Sequence, residues 1–184
     1  MFIVLKILLP FSEVIKVCAR NVSIRLRLWC FALLPVSTLA AAQCVPDAFL
    51  AMGSQHAASS EAGTVTQLSE TQILALPVAV ITTGTDWTAV SRFEGPLLSD
   101  VLKSKPGQTG NLQVLALNQY GATVPASDLD RFGPILAHTR DGVRLKRSDF
   151  GPLFIVYPRD RYRELRAPNM AARMVWQVCR IDVE

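Results

Sequence analysis

Between residues 64 and 184, short apolar runs alternate with turn-forming stretches rich in Gly, Pro, Asp and Asn. The β-branched run Val78–Thr83 (VAVITT) predicts a strand, as do Leu112–Leu117, Ile135–His138, Leu153–Tyr157 and Trp176–Val183. Thr64–Leu68 predicts a shorter one, and a further run opens at Thr123–Val124 after the Tyr120-Gly121 turn. In Trp176–Val183 the alternation turns Trp176 and Val178 inward, then slips near Cys179 so that Ile181 and Val183 regain that face.

Helical signals are weaker. Ser69 is the predicted N-cap of a one-to-two-turn helix closed by Pro77. Gly95-Pro96 opens a second helix, with Leu97, Leu98, Val101 and Leu102 at helical spacing. Pro125–Asp128 reads as a short turn, and Asp141-Gly142 as a hairpin between short strands. Many short strands with two or three short helices predict an α+β domain, mainly β with a mixed sheet, over residues 64–184. Residues 43–63, rich in Ala, Ser and Gly, read as a loosely ordered N-terminal segment.

The first 42 residues follow another pattern. Lys6, Lys16, Arg20, Arg25 and Arg27 precede an uncharged stretch, Leu28–Ala42, that ends in Ala40-Ala41-Ala42. A basic region, a short apolar region and a small-residue cleavage site predict a signal peptide, and hence an exported, periplasmic protein. The apolar stretch is shorter than the roughly 20 residues of a membrane-spanning helix, so no stable membrane span is expected after cleavage. A start at Val22 through a non-standard start codon and an uncleaved N-terminal anchor are the alternatives.

Cleavage changes the charge picture. Five of the 19 Lys and Arg and one of the 15 Asp and Glu lie in the leader, so the remainder carries 14 of each. The whole-chain pI of about 9.1 then describes mostly the leader, and a nucleic-acid partner is not expected. Cys44 and Cys179 are the two cysteines left, at opposite ends of an exported domain, and a bridge between them is expected over two free thiols. With His56 and His138 the only histidines, no metal site is expected. No Ser/His/Asp or Cys/His set and no glycine-rich phosphate loop is present either.

Five segments, in order, carry a resemblance: Thr82–Leu102 (TTGTDWTAVSRFEGPLLSDVL), Ala116–Pro125 (ALNQYGATVP), Ile135–Leu145 (ILAHTRDGVRL), Gly151–Pro158 (GPLFIVYP) and Val175–Val183 (VWQVCRIDV). Together they resemble the oxidoreductase molybdopterin-binding domain of the sulfite-oxidase superfamily, in its short exported form, over roughly residues 64–184. The resemblance implies the sulfite-oxidase molybdopterin-binding type of fold. In catalytic members it also implies a cysteine thiolate on molybdenum, placed before the segment that matches FEGPLLSDVL. Here Val78–Arg92 holds Thr82, Thr83, Thr85 and Thr88 and no cysteine. A threonine hydroxyl does not replace a soft thiolate on such a metal. The expectation is therefore a non-catalytic ligand-binding or protein-interaction module without a cofactor. The alternative is a molybdopterin-dependent oxidoreductase, or a subunit of one, whose site a partner or an unusual ligand completes.

Candidate ligand-binding residues follow from strand ends and charge. Asn118 and Tyr120 end one predicted strand, Thr139 and Arg140 another, and Tyr157 a third. Residues 140–166 carry eight cations, including Arg140, Arg147 and Arg159, against four acids, which predicts a small anionic ligand. A periplasmic protein partner is the other expectation. The structural alternative is that the arginines are solvated loop charges partly paired with neighbouring acids, Asn118 holds a turn and Tyr120 packs its ring. Trp87, Phe93, Phe154 and Trp176 are expected in or near the core.

Overall fold

A computed structural model describes residues 43–45, 48–54, 65–103 and 110–184. The predicted leader and the whole segment 55–64 lie outside the described residues. β1 (Leu50–Ser54) is followed by β2 (Thr66–Leu68) and α1 (Glu70–Leu74). Ser69 caps α1: its Oγ accepts from Gln72 N at 3.2 Å while Gln72 Oε1 accepts from Ser69 N at 2.8 Å, a capping box that satisfies two otherwise orphaned donors. β3 (Val78–Thr83) matches the β-branched run residue for residue, and β4 (Ser91–Pro96) pairs with it antiparallel before α2 (Leu98–Lys103). Then come β5 (Leu112–Ala116), β6 (Gly121–Val124) and α3 (Ala126–Phe132). β7 (Ile135–Ala137), β8 (Thr139–Arg140) and β9 (Val143–Arg144) follow, the last two joined at Asp141 and Gly142, both at positive φ, as an Asp-Gly hairpin turn requires. β10 (Phe154–Val156), a 3₁₀ turn (Arg163–Arg166), α4 (Pro168–Ala171) and β11 (Val178–Val183) complete the chain.

Three sheets result, with strand orders β2-β1-β11-β5-β6, β3-β4-β8-β9 and β10-β7. All pairings are antiparallel except β1 with β11. The register of β11 on β5 shifts between Val178 and Arg180. Val178, Ile181 and Val183 are thereby all buried, as the slip near Cys179 predicts. Gly95 belongs where β4 meets β7: a Cβ there would overlap the Leu136 carbonyl, so only glycine allows this approach. Among the described residues, no helix is long and apolar enough to cross a membrane.

Three elements depart from the sequence expectation. Leu50–Ser54, expected to be loosely ordered, is a strand inside the main sheet, with Leu50, Ala51 and Met52 fully buried. It has no β-branched residue and sits in an Ala/Ser/Gly-rich context, so local propensity hides it. Ser91–Pro96 is a strand despite Gly95 and Pro96. Ala126–Phe132 is a helix rather than a turn, and its buried face is Asp128 and Phe132; an acid in the apolar stripe masks the helical period. Among the described residues, four α-helices and a 3₁₀ turn thus stand where two or three helices are expected.

The disulfide is present: Cys44 and Cys179 are bridged with Cα atoms 5.5 Å apart. Of the four aromatics expected in the core, Phe93 and Phe154 are fully buried and meet edge to face at 5.7 Å. Trp87 is 45% exposed and Trp176 half-buried, which changes their part in the molecule.

His138 is buried beside Arg144, and its Nδ1 meets Thr139 Oγ1 at 2.8 Å while Nε2 makes no hydrogen bond. Burial, then the Arg144 charge, lowers its pKa below the ordinary 6.5, with Glu94 and Glu70 opposing. The folded state thus resists a proton that the unfolded chain accepts. Its contribution to stability is intact above about pH 6.5 and is lost as pH falls through the lowered folded value. Urea midpoints between pH 7.5 and 5 are expected to fall, less so in His138→Gln; equal slopes for both proteins would contradict this.

Candidate functional site

The two tryptophans that leave the core wall a cleft of about 290 Å³, together with Asn118, Tyr120, Ala172 and Met174. Three segments converge on it. Trp87 stands on the β3–β4 loop, where Thr85 Oγ1 accepts from both Trp87 N and Thr88 N at 3.1 and 2.9 Å. That loop is tied to the segment after β10: Asp160 Oδ2 accepts from Gly84 N at 3.0 Å, and Arg159 pairs with Asp86 at 2.6 Å. The Gly84 amide, then the Thr83 hydroxyl, holds the exposed Asp160 carboxyl below its ordinary pKa.

Asn118 and Tyr120 form the tight turn between β5 and β6, with Gln119 at a φ of 70°. Asn118 Oδ1 accepts from Tyr120 N at 3.0 Å, and Tyr120 Oη donates to the Ala172 carbonyl at 3.1 Å across the cleft. Met174 and Trp176 follow α4 and lead into β11. Behind the walls lies an aromatic stack: Phe150 on Phe154 at 5.5 Å, Trp87 against Phe154 at 6.3 Å, and Trp176 against Phe150 at 6.1 Å. The cleft lining carries no charged side chain, so its chemistry is that of aromatic faces and one amide.

The six candidate binding residues separate. Asn118 and Tyr120 line the cleft; Asn118 also holds the turn, so its structural and binding readings coincide. Arg140 stacks over Phe150 at 5.4 Å and pairs with Asp149 at 3.2 Å, behind the cleft wall. Arg147 is exposed and forms no ion pair among the described residues. Its carbonyl accepts from Gln177 Nε2 at 2.6 Å, next to Trp176. Arg159 braces the Trp87 loop through Asp86. Tyr157 is buried away from the cleft, where its hydroxyl donates to Asp128 Oδ2 at 2.8 Å. Arg144 and Arg166 are paired with Glu70 and Asp160. Trp87 and Trp176, expected in or near the core, line the cleft as well as touching Phe154 and Phe150 behind it. Trp87 lies in a polar loop without a strand period, a signal that could have placed it outside.

The donor chemistry speaks against a thiolate-bound metal at this place. Both described cysteines are joined in the disulfide, and the buried Thr83 Oγ1 already accepts from Asp160 N at 3.3 Å. Among the described residues, no group of three or more His, Cys, Asp or Glu could hold a metal ion. The described residues do not fit a molybdenum centre ligated by protein sulfur at this place.

No family model and no curated protein matches the chain. Among solved structures it is similar to the sulfane dehydrogenase SoxCD from Paracoccus pantotrophus, at 18% identity and a TM-score of 0.51. The match covers 74% of this chain and 38% of that one, so the chain spans well under half of its neighbour. At this identity the likeness shows the fold alone: α+β, mostly antiparallel sheets with short helices, the class expected from the sequence.

Proposed function

We propose that the protein is exported to the periplasm and acts there as a binding module on a sulfite-oxidase-type scaffold, without redox chemistry of its own. The observation that carries the proposal is the cleft itself. It is walled by Trp87, Trp176 and Tyr120 and offers no thiolate, nucleophile or acid–base pair. Such a lining favours the aromatic or apolar part of a small molecule, with the Asn118 amide as its polar contact. Arg147, beside Gln177 and without an ion pair among the described residues, is the cation proposed for an anionic group at the rim.

Calorimetric titration of the mature protein with 4-hydroxybenzoate, phenol and acetate tests this reading. The aromatic acid is expected to bind more tightly than phenol, and acetate not at all. Trp87→Ala is expected to weaken binding about tenfold to a hundredfold, the range of an aromatic anchor. It should leave the melting temperature nearly unchanged, because Trp87 is 45% exposed. No binding of either aromatic compound, or binding indifferent to Trp87→Ala, would remove the cleft from the account.

A further inference from the structure

Away from the cleft, β3 forms the outer edge of its four-stranded sheet. The direction of its backbone groups follows from its neighbour. The Arg92 and Glu94 carbonyls accept from Asp141 N and His138 N at 2.8 and 2.9 Å, so they face β8. The alternate residues of β4 therefore face β3, where Phe93 opposes Ile81 and Gly95 opposes Ala79. The N–H and C=O groups of Val80 and Thr82 consequently point outward, and no described residue bonds to them. Edges are ordinarily blunted by a charge, a proline, a bulge or a covering segment. VAVITT has no charge and no proline, its register on β4 is unbroken over six pairs, and Val78 and Val80 are 53% and 47% exposed.

Beside this edge runs a groove of about 320 Å³, lined by Val80, Thr82, Leu97, Phe132, Pro158 and Arg161. Arg161 is exposed and has no ion pair among the described residues, and neither has Arg163 two positions on. The segment from Arg159 to Arg166 holds four arginines against Asp160 and Glu164. We infer that this edge takes an extended, acidic segment of a partner protein as an added strand. Outward backbone groups of β3 would supply the ladder, the groove would accept alternate apolar side chains, and Arg161 would meet a carboxylate. Charge argues against a second copy of this chain, since two β3 edges would bring two arginine-bearing rims together.

The test uses the mature protein and two capped, labelled octapeptides, each of alternating threonine and valine, one ending in two glutamates and one in two lysines. Fluorescence anisotropy is expected to show the acidic peptide binding at least tenfold more tightly, with that preference lost in Arg161→Glu. Amide exchange at Val80 and Thr82 is expected to slow when the acidic peptide is bound. Val80→Pro removes an outward N–H, a change edge strands tolerate, and is expected to abolish binding; Arg161→Glu keeps the test valid should that variant not fold. Equal affinity for both peptides, unprotected Val80 and Thr82 amides, or a dimer in light scattering that Arg161→Glu strengthens would each overturn the inference. Trp87→Ala is expected to leave peptide binding intact, which separates this surface from the cleft.

Discussion

Replacing Cys44 and Cys179 together by alanine is expected to lower the unfolding free energy of the protein, freed of its proposed leader, by about 2–5 kcal/mol. The bridge closes a separation of 135 residues, for which the chain-entropy model sets an upper value of about 5 kcal/mol. Its position adds a native-state reason for a large effect. Cys179 lies at the register shift of β11, the strand that β1 and β5 flank in the main sheet, and the bridge fixes the chain leading into β1. β1 has few local signals of its own, so its parallel pairing with β11 depends on being delivered there. A fall in melting temperature on the order of 10 °C is expected for the double variant. Wild type should show no free thiol under denaturing conditions without reductant. A double variant within about 1 kcal/mol of wild type would mean that the sheet holds β1 unaided.

The second large effect is expected at Asp128. Its carboxylate is 4% exposed and accepts through Oδ2 from Tyr157 Oη at 2.8 Å and from Arg173 Nη1 at 2.7 Å. Three elements meet there: α3, the end of β10, and the segment after α4 that supplies Met174 to the cleft. Asp128→Ala leaves a buried hydroxyl and a largely covered guanidinium unpaired. The cost of breaking a buried pair is about 3–5 kcal/mol; a side chain of Arg173 that is 26% exposed puts the expectation near the lower end, about 3. Tyr157→Phe should cost less, about 1–2 kcal/mol, because Arg173 still holds the carboxylate. Burial, then the Asp128 charge, pushes the Tyr157 hydroxyl well above its ordinary 10.0. The folded form keeps its proton where the unfolded form loses it, so this contribution is intact below about pH 10 and is lost as pH rises beyond it. Wild type should therefore unfold more readily between pH 9 and 11, and Tyr157→Phe should flatten that slope. A Asp128→Ala variant as stable as wild type would show that the network is replaceable by local repacking.

Asp128 also shows why part of the fold was illegible in the sequence. Where apolar residues alone mark an element, as in VAVITT or LQVLA, strand limits follow within a residue or two. In α3 the inward position is an acid whose partners, Tyr157 and Arg173, lie 29 and 45 residues away. No local pattern reveals such a pairing. The same holds for Arg159 and Asp160, legible as loop charges but placed 73 and 76 residues from the Asp86 and Gly84 they hold. The cleft was half legible: the strand-end rule finds Asn118 and Tyr120, whereas Trp87 and Trp176, expected in or near the core, also wall the cleft, Trp87 exposed and Trp176 half-buried against the core. Of the eight cations in residues 140–166, Arg140, Arg144, Arg159 and Arg166 are paired with acids, which local charge counting does not show.

Fold and chemistry thus point in different directions. The scaffold is similar to that of a sulfane dehydrogenase of known structure, whereas the function proposed for the tryptophan-walled cleft is binding without a metal. Metal and pterin content decide between them most directly. The full chain would be expressed in a host that makes molybdenum cofactor, and the mature protein recovered from the periplasm. Molybdenum would be assayed by mass spectrometry and pterin by its oxidised fluorescence. Folded protein with neither, at well under a tenth of an equivalent, is the result the account predicts; near-stoichiometric molybdenum and pterin together would contradict it.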